Sequence, residues 1–83
     1  MSKFISKEEI FKIIAKSLSI PVQKINEKVS SNNFDEWDSM SHLSILIALD
    51  KKLSGKAQKI QELSEAYSVK KIIQILNKKK LFK

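Results

Sequence analysis

Apolar side chains recur at helical spacing in several stretches of this 83-residue chain. Ser6 and Glu9 form a capping-box signature at the first stretch, which predicts a helix over residues 7–18. That helix is expected to end at Ile20-Pro21, because proline pushes the residue before it out of the α-helical region. The first element is therefore an amphipathic helix with a defined start and a defined stop.

Three further helices are predicted after a long connection. The second covers residues 39–53 and is apolar over most of its surface, which indicates packing on more than one side. A short third helix is expected over 58–66, where apolar residues stand three positions apart. Ser68 is a good N-cap for a last helix that runs to about Asn77.

The fold class that this pattern predicts is all-α: a small four-helix bundle with a long first loop and a short third helix. One glycine and one proline are too few for the turns of a β-rich fold. The whole chain, 1–83, is expected to form a single domain, with an ordered bundle over 6–77 and a basic tail over 78–83 that frays. The connection over 19–37 is long for so small a domain, and loops of that length are usually functional or only partly ordered.

Lysine provides the positive charge of the chain and sets its net charge at +7. Between Val29 and Asp50 the sign reverses, since this segment has no lysine and contains four acids, namely Asp35, Glu36, Asp38 and Asp50. The absence of cysteine excludes disulfides and thiolate chemistry from the protein itself. No stretch has the length of a signal-peptide core or a membrane span, so we expect a cytoplasmic protein without stable membrane association.

The most informative short motif is Asp38-Ser39-Met40, which opens the second predicted helix. An aspartate at the N-cap accepts hydrogen bonds from the unpaired backbone N–H groups of the first turn. Ser39 would then be the first helical residue and lie at the surface, where the helix dipole favours a negative group. A phosphate attached to this hydroxyl would therefore be in a favourable position.

With these residues the chain resembles the acyl carrier protein and peptidyl carrier protein family. The family motif Asp-Ser-Leu matches Asp38-Ser39-Met40, with methionine in place of leucine. The resemblance extends to Trp37 before the motif and to the apolar helix after it. The segment 67–69 is similar to the Thr-Thr-Val that opens the last helix of the family. The resemblance as a whole covers about residues 6–77 and implies a four-helix bundle of the acyl-carrier-protein type.

The resemblance implies that Ser39 carries 4′-phosphopantetheine, transferred from coenzyme A by a phosphopantetheinyl transferase, with Asp38 and Met40 beside it. The chain would not be an enzyme; as a monomer it would carry an acyl or aminoacyl group as a thioester. A loading enzyme and an acyltransferase are the further partners implied. The resemblance also implies an apolar cleft that shelters the acyl chain, although spacing alone favours ordinary core positions for the four residues assigned to it: Leu43, Leu46, Ile47 and Leu53.

The docking surface for these partners is expected around the serine. Six residues are assigned to it: Asp35, Glu36, Trp37, Ser41, His42 and Asp50. Carriers of bulk fatty acid synthesis have several acidic residues along the exposed side of the second helix. In this chain most of the corresponding positions are serine or lysine. The resemblance therefore favours a specialised pathway, such as polysaccharide or modified-sugar, polyketide or nonribosomal biosynthesis.

Simpler interpretations apply to two of these residues. A tryptophan before a helix is usually a packing anchor, and His42 is expected to be a solvated residue on the helix face. With one histidine and no cysteine, no metal site is expected.

Two other functions stay open. One is a small basic helical nucleic-acid-binding domain, which the isoelectric point near 9.7 favours. The absence of arginine and the few aromatic residues argue against a nucleic-acid partner. The other is an unmodified protein-interaction module with the carrier fold.

Overall fold

Three α-helices form the framework of the computed structural model, which describes residues 4–83. In chain order they are α1 (Lys7–Leu18), α2 (Ser39–Lys52) and α3 (Val69–Lys78). Three short 3₁₀ helices lie in the connections: Val22–Lys24, Ala57–Lys59 and Gln61–Glu65. No helix within this part of the chain combines the length and apolar character needed to cross a membrane.

The capping signals place the starts of the helices where the sequence indicates. The Ser6 hydroxyl accepts a hydrogen bond from the Glu9 backbone N–H, and the Glu9 carboxylate accepts one from the Ser6 N–H. The Ser68 hydroxyl accepts from the Lys71 N–H at the start of α3. The bounds predicted for the first helix are confirmed, and those predicted for the last agree within one residue.

The fourth helix of the predicted bundle is not present within residues 4–83. The segment predicted as one short helix, 58–66, consists of two 3₁₀ helices separated by Ile60 in extended conformation. The physical reason is visible in the spacing of its buried residues, which recur every three positions: Ala57, Ile60, Leu63 and Ala66. Side chains three apart lie in one row on a 3₁₀ helix, whereas an α-helix would rotate them away from the core.

The core lies between α2, α1 and the 3₁₀ segments, with α3 closing it. Ile45, Leu49 and Leu53 form the buried side of α2 and are fully inaccessible to solvent. On the opposite side the apolar residues of α2 are not covered, since Met40, Leu43 and Ile47 are 80%, 58% and 50% exposed. The expectation that α2 packs on more than one side is therefore wrong for this outer face.

The long connection before α2 is held to α3 by its backbone. Val69 N–H donates to the Val29 carbonyl over 3.0 Å, and Ser31 N–H donates to the Tyr67 carbonyl over 2.9 Å. Val29 is also buried, as is Ile25. These contacts fix where the chain enters the first turn of α2.

The C-terminal residues are bonded to the other end of the chain, so the expectation that they fray is wrong. Ile5 N–H donates to the Leu81 carbonyl over 2.8 Å, and Lys83 N–H donates to the Ile5 carbonyl over 2.9 Å. Lys80 adopts a left-handed conformation, with φ of 61°, that turns Leu81 back onto α3. Leu81 is thereby buried. Removal of its apolar surface from water stabilises this position of the tail, although the neighbouring residues are lysines.

Shortening Leu81 tests this terminal contact. We expect Leu81→Ala to lower the free energy of unfolding by about 2 kcal/mol, because a buried leucine side chain is lost. Urea denaturation of the variant and the parent chain measures the difference. Lys83→Ala is the control, since its side chain is exposed and should leave the free energy unchanged. Equal stability of Leu81→Ala and the parent chain would show that the tail is not docked.

Candidate functional site

Ser39 is the first residue of α2, and Asp38 is its N-cap. The Asp38 backbone is extended, and its carboxylate accepts a hydrogen bond from the Ser41 backbone N–H over 2.9 Å. The predicted cap is therefore confirmed. Ser39 is exposed, and its hydroxyl makes no hydrogen bond within residues 4–83. The turn is thus ordered by its neighbours while the hydroxyl itself stays free.

The cap is a charged group. Hydrogen bonds from the Ser41 backbone N–H and then from the Ser41 hydroxyl hold the pKa of Asp38 below its usual value. A negative carboxylate at this position also interacts favourably with the positive end of the helix dipole. Asp38 consequently stays ionised to a lower pH than an aspartate without these hydrogen bonds.

His42 lies in the first turn of α2 and points into the core, with 2% of its surface exposed. The Trp37 indole N–H donates to His42 Nδ1 over 3.0 Å, and His42 Nε2 lies 2.9 Å from the Leu63 carbonyl oxygen. An indole N–H only donates and a carbonyl only accepts, so the ring is the neutral tautomer with its proton on Nε2. The expectation of a solvated histidine is wrong, because both ring nitrogens have buried partners.

Trp37 is also buried, with 3% of its surface exposed, which confirms its interpretation as a packing anchor. Neither Trp37 nor His42 reaches the surface, so the docking roles predicted for them are corrected to structural ones. Sequence reasoning missed two participants, the Leu63 carbonyl and the Tyr67 ring. Only the spacing of His42 with Ile45, three residues later on the buried side, signalled an inward position.

An aromatic cluster encloses the imidazole. The Tyr67 ring stacks on His42 with centroids 4.1 Å apart and planes inclined by 26°, and the Trp37 ring lies 6.0 Å from it. Burial lowers the pKa of His42 from its usual value, and the hydrogen bond to the Leu63 carbonyl opposes this shift in part. The neutral ring is therefore the stable form at neutral pH.

The remaining residues predicted to dock partners differ in exposure: two are exposed and two are half-buried. Asp35 and Glu36 are exposed beside the Ser39 turn, and Ser41 is half-buried behind it. Asp50 is half-buried and braces the end of α2, since its carboxylate accepts from the Gln58 N–H and its carbonyl from the Gly55 N–H. The exposed negative charges nearest to Ser39 along the chain are therefore those of Asp35, Glu36 and Asp38.

Three of the four residues predicted for an apolar cleft do line a common groove. Leu43, Leu46 and Ile47 border a shallow, open space of about 390 Å³, together with Asp50 and Gln58 among others. The fourth, Leu53, is fully buried in the core, so its assignment to the cleft is wrong. A second open groove of about 460 Å³ lies between α1 and α2, on the other side of Ile47.

The site presents a hydroxyl to which no side chain of residues 4–83 is hydrogen-bonded. His42, the only histidine, directs its nitrogens to Trp37 and Leu63 rather than to Ser39. Residues 4–83 also contain no group of histidines and acids able to hold a metal ion. Comparison with protein families, curated proteins and solved structures found no match to this chain.

The buried histidine predicts a pH dependence of stability. Because the pKa of His42 is lower in the folded chain than the usual value of about 6.5, the unfolded chain binds more protons between these two values. The stabilisation is complete above about pH 6.5 and is lost as the pH falls through the folded pKa. In that window the free energy of unfolding should change by up to about 1.4 kcal/mol per pH unit.

Urea denaturation across this range measures the effect, with His42→Gln as the matched variant. The carboxylates are common to both chains, so the difference between their curves isolates the histidine. Parallel curves over the whole range would contradict the prediction.

Proposed function

We propose that this chain is a carrier protein that bears 4′-phosphopantetheine on Ser39 and transports an acyl or aminoacyl group. The observation that carries the proposal is the exposed, unbonded Ser39 hydroxyl on an ordered helix start. A residue that receives a prosthetic group from another protein must be reachable and free of competing hydrogen bonds. The only histidine of the chain is bonded to Trp37 and Leu63 rather than to Ser39, so within this proposal the proton transfer of the attachment reaction is assigned to the transferase.

The residues present fit an attached phosphate. The positive end of the α2 dipole favours the anion, while the Asp38 carboxylate beside it is repulsive. These opposing effects favour a phosphate that stays in solvent, directed away from the acids. In the attachment reaction a P–O bond forms to the Ser39 oxygen, the P–O bond to adenosine bisphosphate of coenzyme A breaks, and the serine proton passes to the transferase.

Once attached, the prosthetic group supplies the thiol that the cysteine-free chain lacks and on which the cargo is carried. The chain itself presents the attachment point, an open groove beside Leu43 and Ile47, and exposed acids before α2. Within this proposal the 3₁₀ segments 57–65 take the place of the short third helix of a carrier bundle. A cytoplasmic location belongs to the proposal, because coenzyme A is the donor.

The sparse acids of α2 support a specialised pathway over bulk fatty acid synthesis. Asp50 is engaged in bracing the end of the helix, and the exposed outer face consists of apolar residues, serine and lysine. A partner that recognises a continuous row of carboxylates along a helix would find few of them here. Loading and acyl-transfer enzymes dedicated to this carrier would instead contact the segment around Ser39.

Mass spectrometry tests the modification. Incubation of the purified chain with coenzyme A and a broad-specificity phosphopantetheinyl transferase should add one phosphopantetheine per chain. Ser39→Ala should add none, because the acceptor oxygen is gone. Ser44→Ala is the matched control, since Ser44 is an exposed serine on the same helix and its loss should leave the modification intact. An unchanged mass of the parent chain with several transferases would overturn the proposal.

Charge reversal tests the role of the exposed acids. If Glu36 steers a basic transferase surface towards Ser39, Glu36→Lys should lower kcat/KM for modification several-fold at low salt. The difference should shrink at high ionic strength, because salt screens exposed charges. Glu65→Lys makes the same charge change at an exposed position outside the segment 35–38 and serves as the control. Equal losses in both variants would assign the effect to net charge alone.

A further inference from the structure

Hydrogen bonds join the residues on either side of Ser39 to one another without involving the Ser39 hydroxyl. The Trp37 side chain donates to the His42 ring over 3.0 Å, and the His42 backbone N–H donates to the Asp38 carbonyl over 2.9 Å. The Asp38 carboxylate accepts from the Ser41 N–H over 2.9 Å. The residues immediately before and after Ser39 are thus joined to one another, and the serine stands at the outside of this braced turn.

The second ring nitrogen connects the braced turn to a different part of the fold. His42 Nε2 donates to the Leu63 carbonyl of the 3₁₀ segment, and the Tyr67 ring covers the imidazole from the start of α3. His42 is the only buried polar residue among those that the structure describes. One side chain of the first turn of α2 thus bonds in two directions and ties the turn to both Trp37 and the 3₁₀ segment.

We propose that His42 is a positioning residue for Ser39: the neutral ring holds the first turn of α2, and protonation of the ring releases it. The inference rests on the proposed carrier function and assigns a regulation to the same site. Nδ1 accepts the Trp37 N–H only while it carries no proton. If Nδ1 is protonated, the Trp37 N–H and the Nδ1–H are two donors that face each other without an acceptor in a buried place. The hydrogen bond between the two side chains then breaks, and the first turn of α2 loosens.

No charged side chain compensates such a proton. Burial lowers the pKa of His42, the Leu63 carbonyl opposes this shift in part, and no charged neighbour contributes. Tyr67 is the side chain that stacks on the ring. The charged residues of the segment 35–38 before α2, of the 3₁₀ helix 61–65 and of the start of α3 are all exposed to solvent: Asp35, Glu36, Asp38, Glu62, Glu65, Lys70 and Lys71.

The rate of phosphopantetheine attachment, measured against pH, tests the proposal. The parent chain, His42→Leu, which can form neither bond, and Trp37→Phe are each incubated with coenzyme A and one transferase, and kcat/KM is divided by the value for His42→Leu. This ratio removes the pH profile of the transferase itself. We expect the ratio of kcat/KM values to be about ten for the parent chain at neutral pH and to fall to about one in acid. Its midpoint should equal the pKa of His42 measured by NMR on the same chain.

Two further variants separate positioning from stability. In Trp37→Phe the donor is gone while the packing is largely kept, so the ratio should stay near one at every pH. Leu81→Ala loses stability at the opposite end of the chain and should keep the pH-dependent ratio of the parent. Circular dichroism at each pH confirms that every variant is folded. A ratio that does not change with pH, or the same loss in Leu81→Ala, would overturn the proposal.

NMR of the unmodified chain separates this inference from the proposed function. Backbone amide signals of residues 38–41 should shift with the same midpoint as the His42 ring. The lone tryptophan gives a second signal, because its fluorescence should change as its partner becomes protonated. If Ser39 accepts no prosthetic group but these signals move together, the proposed function fails and the coupling stands. If His42 titrates while residues 38–41 stay unchanged, the positioning role is refuted.

Discussion

The fold around Ser39 depends on the requirement that a buried imidazole be bonded at both nitrogens. Removal of a polar group from water costs several times the net gain of one hydrogen bond, unless a partner replaces the water. Trp37 and Leu63 are the partners of His42, and they belong to segments on either side of α2. Satisfying one ring therefore joins three segments to one another, and it acts together with the backbone bonds of Val29 and Ser31 that fix where the chain enters α2.

Local signals in the sequence predicted the helix starts, because capping needs only residues within one turn. The Ser6–Glu9 capping box and the Asp38 cap each involve residues three positions apart, so their geometry is independent of the rest of the fold. The same reasoning predicted Ser39 as the first helical residue, directly after the cap and at the surface, where the structure has it. The Ser39 turn was thus predictable before any packing was known.

Packing decided the features that the sequence did not predict. Polarity suggested an exposed His42, but Leu63 lies 21 residues away and no local rule connects the two. Leu81 is held by Ile5 at the opposite end of the chain, a pairing that only the closed fold creates. The 3₁₀ segments are an intermediate case, because the three-residue spacing that includes Ile60 was present in the sequence and was interpreted as a short α-helix.

The outer face of α2 and the nearby acids would contribute differently to a complex. Exposed carboxylates such as Glu36 interact through screened fields, and a surface ion pair is worth about 0–1 kcal/mol. Burial of an exposed apolar side chain such as Leu43 or Ile47 is worth about 1.5–3 kcal/mol. Under the proposed function, the acids would mainly set how fast a partner arrives, and the apolar residues how long it stays. A braced first turn then matters for both, because it fixes Ser39 relative to this face.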